Sequence, residues 1–339
     1  MSKQIDKRRG GRLIARLGIA GFALAATLGI TACGGGSSDS IDLVAYSTPQ
    51  EVYQDKLEPA FQDTDEGDGG EFSNSFGGSG DQSRAAEAGQ PADVVAFSLE
   101  PDMTRLVDAG LVSPDWSKNQ YNGIVTDSVV TLMVRPGNPK NIQSFDDLGS
   151  GDVEVITPNP ATSGGARWNI MAVYGSQIEE GKSPQQALDF VKTVLQNTSV
   201  QDDSARDSLN TFASGKGDVL IGYENEAIQA QQEGIDLDYV TPDSTILIEN
   251  PVAATKDAGD AAQPFVDFLY TDQAQQDFAD AGYRPVVTSA FDKNADKYPV
   301  PSGLFTIADF GGWSKVSDAF FGDNGSVIEI EKQLGNPTE

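Results

Sequence analysis

From Ile41 onward, short β-branched runs alternate with helix-patterned stretches. Such alternation restricts a chain to layered α/β folds, because each strand must be covered by the helix that follows it. Strands are predicted at Ile41–Ala45, Gly70–Ser75, Asp93–Phe97, Asp152–Ile156 and Val219–Tyr223. Helices are predicted at Thr48–Phe61, Ser79–Ala88, Pro101–Ala109, Ser163–Glu179, Pro184–Leu195 and, as one long element, Pro264–Ala281. The helix at Pro184 shows an apolar face at Ala187, Leu188, Val191 and Leu195. No internal repeat is visible. The 339 residues suffice for two packed α/β lobes or one large domain, and a hydrophobic content of 38% supports a true core.

Residues 1–32 belong to a different physical class. Lys3, Lys7, Arg8, Arg9, Arg12 and Arg16 form a basic head, and Leu17–Ile30 is an uncharged, mostly apolar run of 14 residues. That run suits a cleaved export signal and is short for a membrane span. It ends in Ile30-Thr31-Ala32-Cys33, similar to the lipobox of bacterial lipoproteins, where the cysteine is acylated and becomes the first mature residue. The Gly/Ser tract 34–38 then reads as a tether, so residues 33–40 are expected to be anchor and spacer. Arg8-Arg9 is followed by Gly10 and Gly11 where twin-arginine export calls for apolar residues, so the export route stays open.

Composition removes whole classes of function. The chain has no histidine, and Cys33 is its sole cysteine. That excludes a Ser-His-Asp triad, a Cys-His nucleophile, a transition-metal site of the usual kind and an internal disulfide. The 23 basic and 51 acidic residues give a net charge of −28, and loss of the signal, with six bases and one acid, takes this to −33. Nucleic acid and anionic membranes are poor partners for such a surface. An anion would have to be held by local, oriented donors rather than bulk attraction. The acidic stretch 63–70 has a superficial calcium-loop composition, but Gly67 takes a ligand position and Asn74 falls where the bidentate glutamate belongs. No metal and no cofactor is expected.

Four predicted strand-to-helix junctions share one chemistry: Tyr46-Ser47-Thr48-Pro49-Gln50-Glu51, Phe76-Gly77-Gly78-Ser79-Gly80, Thr162-Ser163-Gly164-Gly165-Ala166-Arg167 and Asp202-Asp203-Ser204-Ala205-Arg206. Each places small or hydroxyl residues at a helix start, where free N–H groups and the positive dipole end point outward. In open α/β sheets such junctions gather at the carboxyl ends of the strands. Singly, each is an ordinary cap, and the first has the makings of a capping box with Thr48 as cap and Glu51 closing it. Together they form a candidate anion site.

The residues around them resemble the periplasmic sulfate/thiosulfate-binding family. The resemblance is carried by Ile156-Thr157-Pro158-Asn159-Pro160, Ser163-Gly164-Gly165-Ala166-Arg167-Trp168-Asn169, Gly217-Asp218-Val219-Leu220-Ile221 and Tyr223-Glu224-Asn225-Glu226-Ala227. Val134-Arg135-Pro136-Gly137-Asn138-Pro139-Lys140, Gly77-Gly78-Ser79-Gly80, Tyr283-Arg284-Pro285 and Phe310-Gly311-Gly312-Trp313 extend it, in order, from Ile41 to Leu334. It implies an α/β, two-lobed type II periplasmic binding-protein fold with a ligand cleft between the lobes. The implied first lobe is residues 41–126 plus 246–300 and the second 127–245, with 301–339 packing back over both. It also implies a monomeric, non-enzymatic binding lipoprotein that hands sulfate or thiosulfate to the permease and ATPase subunits of an ABC importer, touching the membrane only through its lipid.

Carried over residue by residue, the anion would be held by amides at Ser47, Ser79, Gly164, Gly165 and Ala205, the Ser163 hydroxyl, and Tyr223. The chain departs from the best-known members at Ser47, where they have aspartate, and at Tyr223, where they have an indole donor. It also has Phe76 for a histidine, which an amide site does not need. Arg167 and Arg206 are expected to pair with acids outside the anion's contact shell, and Trp168 and Trp313 to lie in the core. Molybdate, tungstate and phosphate remain alternative tetrahedral ligands. An enzyme or a sensory lipoprotein would need a different reading of the same turns.

Overall fold

The computed structural model describes residues 40–338. Among the described residues eleven strands run in chain order as β1 (Ile41–Tyr46), β2 (Phe72–Gly77), β3 (Val94–Ala96), β4 (Ile124–Val134), β5 (Val155–Ile156), β6 (Thr198–Val200), β7 (Val219–Tyr223), β8 (Asp238–Val240), β9 (Ser244–Ala254), β10 (Arg284–Pro285) and β11 (Gly303–Phe305). They are ordered β2-β1-β3-β9-β4-β7-β5-β6, with β10 and β8 on β4 and β11 on β9.

Two 11-residue strands, β4 and β9, join the two lobes. β4 pairs antiparallel with β9 through Val129 and with β7 from Val130 onward. β9 in turn pairs with β3 at Val252 to Ala254. The first lobe carries the parallel set β2-β1-β3, and the second the parallel set β7-β5-β6. Neither linking strand shows in the pattern reading above. Pro251 inside β9 argues against a strand because it lacks a donor. The fold accommodates it at a register irregularity in the β4–β9 ladder, between Ile124 and Thr126.

Each lobe has its own core. Ile41, Leu43, Tyr53, Phe61, Phe265 and Phe278 pack together in the first. In the second, Trp168 and Trp313 meet edge to face with ring centroids 4.6 Å apart, within a cluster that takes in Phe305, Val327 and Ile330 from the C-terminal segment. Both tryptophans are thus core residues, as expected. β11 pairs with β9, and the terminal helix Ser326–Leu334 lies against the helix Pro184–Gln196.

Two predicted helices differ in detail. The stretch Pro264–Ala281 is two helices, Ala262–Phe268 and Asp272–Asp280, broken where the Thr271 side chain accepts from Ala274 N and caps the second. The helix after β1 runs through Gln50–Val52, a π-helical turn Tyr53–Leu57, and Glu58–Gln62. Its predicted capping box does not form. Pro49 is the cap residue, Thr48 Oγ1 lies 3.2 Å from Tyr283 OH, and Glu51 reaches across to Arg206.

Among the described residues no helix is long and apolar enough to cross a membrane. The export signal and Cys33 lie outside the described residues.

Candidate anion-binding site

The carboxyl ends of the parallel strands in both lobes face one small cavity. It is lined by Tyr46, Ser47, Thr48, Gly77, Gly78, Ser79 and Ser98 from the first lobe and by Ser163, Gly165, Ala205 and Tyr223 from the second. The cavity is small, about 10 Å³. That leaves no room for an ion together with a hydration shell. None of these lining residues carries a charge, so whatever sits here is recognised by neutral groups.

The donors come from helix starts. The helices Ser79–Glu87, Gly164–Glu179 and Ala205–Ala213 all begin at the cavity. Their first-turn amides have no partner within the helix. The amides of Ser47, Ser79, Gly164, Gly165 and Ala205 make no hydrogen bond to another described residue. Ser204 caps the third helix by accepting from Asp207 N, which leaves the Ala205 amide free.

Six of the seven residues expected from sequence line the cavity, namely Ser47, Ser79, Ser163, Gly165, Ala205 and Tyr223. Gly164 stands beside it but faces elsewhere. A Cβ on Gly164 would come within 2.6 Å of Leu99 Cδ2 and 2.9 Å of Ser98 Oγ, so this glycine lets the second lobe close on the first. A Cβ on Gly165 would meet only ordinary contacts, Ser163 Oγ at 3.4 Å, Tyr223 Cε1 at 3.6 Å and Ala205 Cβ at 3.7 Å, all from the lining. The two adjacent glycines thus serve different ends.

The hydroxyls divide too. Ser79 Oγ donates to buried Asp102 Oδ2 (2.6 Å) and accepts from Ser98 N (3.0 Å), so only its amide is free for a ligand. Asp102 is also paired with Arg105 Nη1 at 3.2 Å. Ser163 uses its amide on Asn159 O (2.9 Å), while its hydroxyl has no protein partner among the described residues. Tyr223 OH lies 2.7 Å from Ser98 Oγ across the cleft. Burial pushes the Tyr223 phenol well above its ordinary value, so it keeps its proton. Behind it, burial pushes the Glu226 carboxyl up to about 7, although Tyr223 N donates to it at 3.0 Å.

Charged contacts sit around the cavity. Arg206 pairs with Glu51 from the other lobe, as expected of an arginine outside the contact shell. Arg167 departs from that expectation. Its Nε donates to Pro160 O (2.9 Å), its guanidinium lies 5.2 Å from the Phe321 ring centre, and no carboxylate pairs with it among the described residues. Gly80 N and Asp81 N donate across the cleft to Thr162 O at 3.0 and 3.3 Å.

Sequence reasoning missed Ser98. It follows β3 and precedes the helix Glu100–Asp108, a fifth junction whose only signal was a serine at a strand end shortly before Pro101.

These features match known proteins. Residues 41–284 fit the family model described as bacterial extracellular solute-binding protein. The chain belongs to that family, in its sulfate/thiosulfate-binding branch. It is 40% identical to a sulfate-binding protein of Synechococcus elongatus, over 93% of this chain and 95% of the relative. It is 34% identical to a thiosulfate-binding protein of Escherichia coli, over 84% and 89% of the two chains. Among solved structures, the sulfate-binding protein SubI from Mycobacterium tuberculosis superposes with a TM-score of 0.81 at 45% identity, covering 83% of this chain and 99% of that one. The periplasmic binding protein AfuA from Actinobacillus pleuropneumoniae, 16% identical with a TM-score of 0.63, shares the fold. The family and these relatives are named for binding solutes, the transport role of binding proteins.

Proposed function

We propose that the chain captures sulfate, with thiosulfate as the alternative, and delivers it to the permease and ATPase subunits of an ABC importer. The observation that carries the ligand is the lining itself: neutral, rich in first-turn amides, and free of carboxylates and cations. The four free amides of the lining (Ser47, Ser79, Gly165 and Ala205), with that of Gly164 beside it and the Ser163 hydroxyl, suit a fully ionised tetrahedral anion. Each such charge-assisted bond contributes roughly 1.5–3 kcal/mol. Monohydrogen phosphate needs a buried acceptor for its proton, and no carboxylate reaches this cavity. The relatives named for sulfate and for thiosulfate both support an oxyanion, and the higher identities belong to the sulfate-named ones.

In this reading the protein is a monomer held at the outer membrane face by lipid on Cys33, and more than one acyl chain is present because one gives marginal anchoring. The lobes part near residues 126/127 and 245/246. Titration calorimetry of the purified protein against sulfate, thiosulfate, molybdate and phosphate tests the assignment. One sulfate per chain, no metal requirement and weak phosphate binding are expected, and phosphate binding as tightly as sulfate would refute it.

A further inference from the structure

Ser98 is held by all parts of the molecule at once. Its N–H donates to Ser79 Oγ at 3.0 Å, within the first lobe. Its carbonyl accepts from Trp168 Nε1 of the second lobe (2.8 Å) and from Asn250 Nδ2 of β9 (3.0 Å). Only its hydroxyl is left, and this meets Tyr223 OH at 2.7 Å. Ser98 and Tyr223 are each 1% exposed, and both line the cavity.

The proton count is informative. Two hydroxyls carry two protons, and one mutual hydrogen bond uses one of them. Neither hydroxyl has a second protein partner among the described residues. A buried donor left unpaired is destabilising, so the second proton needs an acceptor, and the cavity is where one can stand. Either order works: the phenol donates to the serine and the serine to the ligand, or the reverse.

Resting on the sulfate reading above, we infer that Ser98 and Tyr223 form one composite donor, split across the cleft, that gives a single hydrogen bond to the bound anion. Because the serine belongs to the first lobe and the tyrosine to the second, the donor is assembled only on closure. In the open form each hydroxyl bonds water, and the pair contributes nothing to affinity. The composite replaces a single rigid side-chain donor with two that can substitute for each other.

That substitution makes a specific signature. With Ser98→Ala the phenol is released to donate directly, and with Tyr223→Phe the serine is. Each single variant should lose about threefold in sulfate affinity, and the double variant about a hundredfold, roughly tenfold beyond the product of the singles. Calorimetry of the full chain with sulfate, with thermal unfolding as a check on folding, reads this directly. A double variant no worse than the product overturns the composite donor, as does Tyr223→Phe alone giving the full loss. Should the double variant unfold, Ser98→Cys with Tyr223→Phe keeps the volume with a weak thiol donor, and should fall close to the hundredfold loss; near wild-type affinity there also overturns it. Gly165→Ala separates the two claims. If it abolishes binding while the pair behaves additively, only the composite donor fails, and if it leaves affinity intact, the cavity reading fails with it.

Discussion

Every side chain that lines the cavity is uncharged, whereas two ion pairs stand directly outside it. Arg206 follows Ala205 and pairs with Glu51, four residues after Ser47. Glu224 follows Tyr223 and holds Arg284 through two bonds, 2.7 and 3.0 Å, with both side chains about 5% exposed. The contrast separates two jobs. On the function proposed above, neutral amides recognise a dianion without carrying a counterion or a titrating proton into a closed space, and their dipoles are already oriented at no reorganisation cost. The ions tie segments together outside the lining: Glu224 to Arg284 in a buried pair, and Arg206 to Glu51 across the cleft. A formal charge inside would tie ligand affinity to whichever ion paired with it in the open form.

Removing one ion of the buried pair should have the largest effect. Arg284→Ala strands Glu224 and should lower folding stability by about 3–5 kcal/mol in denaturant titration. A change below about 1 kcal/mol would mean the charges around the cavity are not structural. Gly165→Ala attacks the interior instead. Its methyl meets no clash, so the protein should fold with unchanged stability yet lose sulfate roughly a hundredfold or more, because the small cavity is filled. Gly164→Val should lose binding by the different route of jamming Leu99 and blocking closure, which small-angle scattering would register as a persistently open form.

Ser163→Ala removes one neutral donor and should cost roughly 1.5–3 kcal/mol, about ten- to a hundredfold in affinity, by calorimetry. Unaltered affinity in both Ser163→Ala and Gly164→Val would remove the proposed site. The smallest effect is expected at the outer pair. Arg206→Gln breaks a partly exposed contact, with side chains 21% and 35% exposed, so about 1 kcal/mol or less of closure energy is lost. Stopped-flow kinetics should place that loss in faster release. A loss as large as that of Ser163→Ala would mean the arginine charge acts on the ligand after all, and the contrast between interior and surroundings would collapse.

Much of this was legible because helix starts are local. Gly164-Gly165 and Ala205 follow strands and are small, and their place in the first turn leaves their amides without a partner in the helix. Ser98 escaped notice because its cue, a serine after a three-residue strand, is common, and its importance depends on Trp168, Asn250 and Tyr223, all distant in sequence. The Thr48–Glu51 capping box was plausible locally and lost to partners far along the chain, Tyr283 and Arg206. Pro251 hid β9 because a local rule against proline in strands is relaxed where the neighbouring strand shifts register.

The sequence by itself determined the α/β alternation, the absence of histidine chemistry, and which turns present free amides, since each follows from residue type and near neighbours. Only the tertiary structure decided that these turns meet around one cavity, that Gly164 lies against Leu99 and Ser98 while Gly165 lies in the lining, and that the Ser79 hydroxyl is spent on Asp102 and Ser98. Those outcomes depend on which groups distant in sequence take up each donor and each volume, and such pairing is a property of the assembled fold that no local stretch of chain encodes.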